Sequence, residues 1–162
     1  MKHTGDLIVT TPNDREITLT RVFDAPRQRV FEAYTTPAQL ERWLGVFDGS
    51  TFEVCEVDLR VGGSYRYVWR DRHGKAMGMR GVFREIVKPE RIVATEVFDE
   101  PWYEGGAEDT IEFTEADRRT TLNVTVRYAS EEVRDGVLRT PMTDGVSASY
   151  DELEKILDSR RG

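Results

Sequence analysis

The sequence predicts an α+β domain, a curved antiparallel sheet of about seven strands lidded on one face by a long C-terminal helix. Three observations predict it. An apolar stripe of helical period closes the chain, alternation of period two dominates residues 51–128, and the turns between those strands are too short for crossover helices.

The elements follow in order. Residues 1–14, with Gly5, Pro12, Asn13 and Asp14, read as a loosely ordered lead-in. EITLTRVF, Glu16 to Phe23, alternates as a strand. Pro26 stands at a first helical position, before a helix whose Val30, Phe31, Ala33 and Tyr34 form one apolar side. Thr36 before Pro37 starts a second short helix, which carries Leu40, Trp43 and Leu44 and stops at Gly45. From Thr51 to Tyr128 turns at Gly62-Gly63, His73-Gly74, Lys88 to Glu90, Pro101 to Gly106 and Ala116 to Arg118 separate the apolar runs. The alternation is cleanest in TLNVTVRY, where Leu122, Val124, Val126 and Tyr128 share a side opposite threonine, asparagine and arginine. Such a sheet is wet on one face only. Ser130 caps a short helix, with Glu131 and Glu132 near its positive end. Thr140-Pro141 opens the long one, whose stripe of Met142, Val146, Leu153 and Leu157 is joined by Tyr150 and Ile156. Arg160 and Arg161 close that helix where its dipole favours cations, so residues 15–158 form the domain and 159–162 a tail.

Composition narrows the function. The chain has 162 residues and a formal charge of −7, against the basic patch of a nucleic-acid binder. No apolar run reaches membrane-span length and the start lacks a signal-peptide core, so a cytoplasmic protein is expected, as a monomer or a homodimer. Cys55 is the only cysteine, which leaves no internal disulfide and no thiolate metal cluster. No metal or cofactor motif is found, and none is expected.

The informative stretch is VDLRVGGSYRYVWRD. Tyr65, Tyr67 and Trp69 alternate and so project from one face of a strand, with Met79 and Phe83 following on the next. They line a pocket or fill a core, and the pattern allows both. Magnitude bears on the choice: an apolar void of ~300 Å³ left empty would cost about 7 kcal/mol, close to the whole stability of a domain. Met142 and Val146 share a side of the last helix and are candidates to face the same space, and Trp43 is a further candidate. Trp102, in the acidic loop FDEPWYEGG, either anchors that loop or gates a cavity mouth. Gly62-Gly63 lacks the context of a phosphate loop and reads as a tight turn, with Asp58 and Arg60 as a flanking ion pair. The histidines, His3 and His73, complete no catalytic set. Arg21 and Glu96 fall in phase with inward residues; surface pairing is the expectation for both, and either would become a functional candidate if it faced inward.

Four segments carry a resemblance: FDAPRQRVFEAYTTPAQLERWL, VDLRVGGSYRYVWRD, GVFREIVKPERIVATEVFDEPW and YASEEVRDGVLRTPMTDGVSASYDEL. Over about residues 15–158 the chain resembles the activator of heat-shock protein 90 ATPase homologues, of the START-like or SRPBCC superfamily. One departure is Leu44, where many relatives carry a second large aromatic. The resemblance implies a helix-grip fold, in which the bent sheet holds the C-terminal helix around an interior cavity. It implies three functions in order of expectation: binding of a small apolar or aromatic molecule, cyclase or hydrolase chemistry on polar cavity groups, and action on a chaperone partner. The additional N-terminal domain of eukaryotic chaperone activators has no counterpart here, which places that last function lowest. The expected ligand is a lipid or a planar, flavonoid- or polyketide-like compound with one or two hydrogen-bonding groups. Charged metabolites are expected to bind poorly.

Overall fold

Twelve elements succeed one another in the computed structural model, which describes residues 6–159. They are β1 (Ile8–Thr10), β2 (Glu16–Phe23), α1 (Arg27–Thr35), α2 (Pro37–Leu40), β3 (Thr51–Val57) and β4 (Ser64–Arg70). There follow β5 (Ala76–Val87), β6 (Arg91–Phe98), β7 (Ala107–Ala116), β8 (Arg119–Tyr128), α3 (Glu131–Leu138) and α4 (Met142–Ser159). The expectations for His3, Arg160 and Arg161 lie outside the described residues.

The strands form one antiparallel sheet in the order β1-β2-β8-β7-β6-β5-β4-β3. β3 to β8 are a meander, and β2 closes on the last of them, so the first long strand lies beside the final one. The register slips at Phe52/Val54 and at Phe83/Glu85. A bulge bends a strand and raises its twist, which curves the sheet around what lies on its concave face.

One expectation is corrected. The sheet has eight strands, because Ile8–Thr10 pairs with Thr18–Thr20 as an edge strand inside the segment read as a loose lead-in. Its β-branched Ile8, Val9 and Thr10 suit extended backbone, but three residues are too few for periodicity to register.

The concave face carries the core. Ile17, Leu19 and Phe23 of β2, Ile111 and Phe113 of β7, and Leu122, Val124 and Val126 of β8 are buried there. The outer face of the same strands is polar, with Thr18 and Thr125 hydrogen-bonded at 3.0 Å. Tyr150, Leu153, Ile156 and Leu157 of α4 are buried in the same core. Phe23 meets Tyr150 edge-on, with centroids 5.7 Å apart.

Arg21 corrects a second expectation. It is not on the surface: its side chain is buried and donates to Asp151 at 2.8 Å and Glu154 at 3.1 Å, both on α4. The pairing ties the middle of α4 to β2. Ahead of α4, Ser130 Oγ accepts from Val133 N at 3.2 Å and caps α3. Among the described residues, no helix is long and apolar enough to cross a membrane.

Candidate ligand cavity

Below its well-packed C-terminal half, α4 does not fill the bend of the sheet. A cavity of about 360 Å³ lies there, between the concave face and Met142, Gly145, Val146, Ser149 and Tyr150. Small residues at 145 and 149 keep the helix from occupying that space. Leu19, Ala94, Val124 and Val126 form part of its floor.

Tyr65, Tyr67 and Trp69 of β4, with Met79 and Phe83 of β5, form one wall. The rings contact in series, Tyr65 tilted against Tyr67 at 4.8 Å and Tyr67 edge-on to Trp69 at 5.8 Å. Local glycines make room for them. A Cβ on Gly81 would lie 1.9 Å from the Thr95 carbonyl and 2.4 Å from the Tyr65 ring. At Gly45, with φ +70°, it would lie 2.6 Å from Trp69 Nε1. The wall is also pinned by its polar tips. Tyr65 donates to Thr95 O at 2.6 Å, and Trp69 Nε1 donates to Leu44 O at 2.8 Å. These aromatics are therefore at once part of the core and part of the cavity wall.

Trp102 sits at the rim, 42% exposed, braced edge-on by Phe98 and Tyr103 at 5.7 and 4.8 Å. Met77, half exposed, lines the cavity as well. Of the candidate contacts read from the sequence, Tyr65, Tyr67, Trp69, Met79, Phe83, Trp102, Met142 and Val146 all line this one space. Trp43 does not, and is the correction among them. Its ring is fully buried and its Nε1 donates to Ala33 O at 2.9 Å. It packs on Tyr34 and Tyr150, whose other sides face the cavity, so it backs the wall from behind. The helix expected to reach Leu44 ends at Leu40, so Trp43 lies in the turns beyond α2, and an apolar phase does not say in which layer a side chain is buried.

Polar groups gather at two places. Tyr34 and Tyr150, from α1 and α4, are joined through their hydroxyls at 3.2 Å. Burial raises both phenols, that of Tyr150 to about 12, so each stays neutral. The second place holds two carboxyls. Glu96 follows Ile92 and Ala94 on the inward side of β6, which overturns the surface position expected for it. Asp109 precedes Ile111 and Phe113 on the inward side of β7, with Ala94 and Val126 as its cross-strand neighbours. Tyr103 donates to Glu96 Oε2 at 2.5 Å. Asp109 Oδ1 is shielded from solvent and has no hydrogen-bond partner. Burial, then the negative charge of Glu96 and a hydrogen bond to it, hold the Asp109 carboxyl well above the usual carboxylate range. The pair thus sets a buried carboxyl that favours keeping its proton beside a second carboxyl, with one shielded oxygen left for a partner. Among the described residues no Arg, Lys or His lines the cavity.

Asp109 is absent from the residues singled out in the sequence. The signal was present in AEDTIEFTEA, where Asp109 shares the phase of Ile111 and Phe113 as Glu96 shares that of Ile92 and Ala94. Other features lie outside the cavity. Gly62 N donates to Phe83 O and Phe83 N to Gly63 O, so the glycine pair is spent on a turn. Asp58 and Arg60 pair beside it at 2.9 Å. His73 is exposed in a turn held by Asp71, and burial pushes the Cys55 thiol up to about 11.

The model of a family described as Activator of Hsp90 ATPase homolog 1-like protein matches residues 24–158. A crystal structure of a Rhodobacter sphaeroides protein is similar at 26% identity, covering 96% of this chain and 99% of that one, with a TM-score of 0.89. A Mycobacterium smegmatis protein is 25% identical over 93% and 97% of the two chains, with a TM-score of 0.79. A Plasmodium falciparum protein described as an Hsp90 activator is 25% identical over 89% and 96%, with a TM-score of 0.65. No curated protein matches the chain.

Proposed function

The chain belongs to the Activator of Hsp90 ATPase homolog 1-like family, within the START-like superfamily, and from that premise we propose that it binds a small, mostly apolar or aromatic molecule between its sheet and α4. The observation that carries this reading is the cavity of about 360 Å³ walled by a row of contacting aromatics. An apolar void of that volume left empty would cost about 9 kcal/mol, comparable with the stability of a whole domain. The space is therefore filled, by a ligand or by water held on its polar groups. The flat faces of Tyr65, Tyr67 and Trp69 favour planar ring systems, and the polar pairs at Tyr34/Tyr150 and Glu96/Asp109 favour ligands with hydrogen-bonding groups near the ring edge. Anions are disfavoured, since the described lining offers carboxyls and no cation.

The test is calorimetric titration of flavonoids and polyketide-like aromatics into wild type and Met142→Trp, whose larger side chain occupies the cavity. Saturable binding by wild type and its loss in a folded variant is the expected result. If no compound binds, or the variant binds as well as wild type, the aromatics are plain core. Native mass spectrometry of protein purified from its own host then identifies what is carried. A second reading, action on an Hsp90-type chaperone, draws on the likeness to the Plasmodium falciparum activator. It stands or falls on whether the protein raises the ATPase rate of such a chaperone.

A further inference from the structure

We infer that the Glu96–Asp109 pair is a recognition site for a protonated amine, so that the molecule held in this cavity is an aromatic ammonium rather than a neutral phenol. The inference rests on the reading of the cavity as a ligand site and assigns the charge of what it takes.

The geometry points to it in three ways. The two carboxyl side chains come from adjacent strands and face the same space, one register step apart diagonally: Asp109 opposes Ala94, and Glu96 opposes Ala107. Asp109 keeps an oxygen shielded and without a partner at the cavity, although folding elsewhere satisfies the tips of Tyr65, Trp69 and Tyr103. An unmet acceptor of this kind is costly unless something binds it. The contrast with Arg21 sharpens the point. That buried charge has opposite charges supplied from α4, whereas no cation among the described residues lines the cavity to meet the carboxyls.

The surroundings suit an organic cation better than a metal ion. Phe98, Trp102 and Tyr128 line the same cavity, and Tyr103, which donates to Glu96, meets the rings of all three edge-on. Aromatic faces attract an ammonium through the ring quadrupole, most strongly where water is excluded. An ammonium beside the pair favours release of the Asp109 proton and can then donate to both carboxylates, while its apolar body extends along Tyr65, Tyr67 and Trp69. The family of ligands is thus a primary or secondary amine on a short link to a flat ring.

Three compounds of one shape separate the possibilities: naphthylmethylamine, naphthylmethanol and naphthoate, titrated calorimetrically at neutral pH. The amine is expected to bind about tenfold or more tightly than the alcohol, and the carboxylate more weakly still. In the Glu96→Gln, Asp109→Asn double variant the amine-to-alcohol ratio should fall to near one. An alcohol that binds wild type as tightly as the amine overturns the inference while leaving the cavity a ligand site. A ratio that survives the double variant overturns the assignment to these residues. If none of the three binds saturably, the inference and the reading beneath it both fail. The wild-type comparison decides even where the double variant does not fold.

Discussion

Burial holds the proton of Asp109 at pH values where an unfolded chain has released its own. Folding and proton binding are therefore linked through this one side chain. Below the ordinary aspartate pKa, near ~4, both states are protonated and the group takes nothing from stability. Above it the unfolded state loses its proton first, so stability falls as pH rises toward the elevated folded value. Asp109→Asn removes that dependence while Glu96, Tyr103 and Tyr128 remain in place. The variant is expected to gain on wild type in urea unfolding between pH 4.5 and pH 7.5 (roughly spanning the window that opens near ~4). A difference that stays constant with pH would show that Asp109 ionises normally. Gly81 offers a purely steric test at the same scale. A methyl group there meets the Thr95 carbonyl at 1.9 Å, so Gly81→Ala should destabilise by about 1–3 kcal/mol. A change under about 0.5 kcal/mol would mean that β5 and the Tyr65 ring yield easily.

The placement of α4 is decided by its C-terminal half. Leu153 is fully buried against the core, and Leu153→Ala should cost about 2–5 kcal/mol in denaturant unfolding. The ion network on β2 makes a contrast within one element. Glu154 is only 7% exposed at its side chain and Asp151 is 55% exposed. Removing Arg21 leaves Glu154 buried without that cation, and Arg21→Ala should cost about 3–5 kcal/mol. Removing Asp151 takes away an exposed partner, and Asp151→Ala should cost under about 1 kcal/mol. Equal losses in the two variants would show that the network does not hold the helix. The N-terminal half of α4 is tied to β2 by Tyr150, edge-on to Phe23, and by Ser147 O, which accepts from Arg21 at 3.4 Å, and its first turns form the cavity roof.

For the whole molecule, a cavity that only the folded chain possesses couples ligand binding to stability. At a ligand concentration about a hundred times Kd the gain is ~2.7 kcal/mol, or roughly 5–10 °C in Tm for a chain of this size. A ligand found by titration should produce that shift in wild type and lose it in Met142→Trp. A shift of the same size in the variant would place the binding site elsewhere, with the half-exposed rim of Met77 and Trp102 the first alternative.

The order of elements, the wet and dry faces of the sheet and the aromatic wall were legible in the sequence, because each depends on periodicity within a dozen residues. The rest depends on which distant residues meet. Arg21 and Glu96 share one sequence signal, a charged residue in apolar phase. The fold sends Arg21 beneath the middle of α4, where Asp151 and Glu154 meet it, and Glu96 into the space that the helix leaves open. Asp109 carries the same signal, and its meaning emerges only when β6 sets Glu96 beside it. Trp43 is buried as its apolar phase predicts, but in the turns past α2 and one layer too deep to face the cavity. Ile8–Thr10 becomes a strand because β2 offers a free edge to a segment too short to show alternation. Sequence phase by itself determined which face the apolar side chains take; only the tertiary structure decided what lies opposite them and where the charged residues in that phase go, because partners on different elements are set by sheet register and by where α4 stops filling the bend.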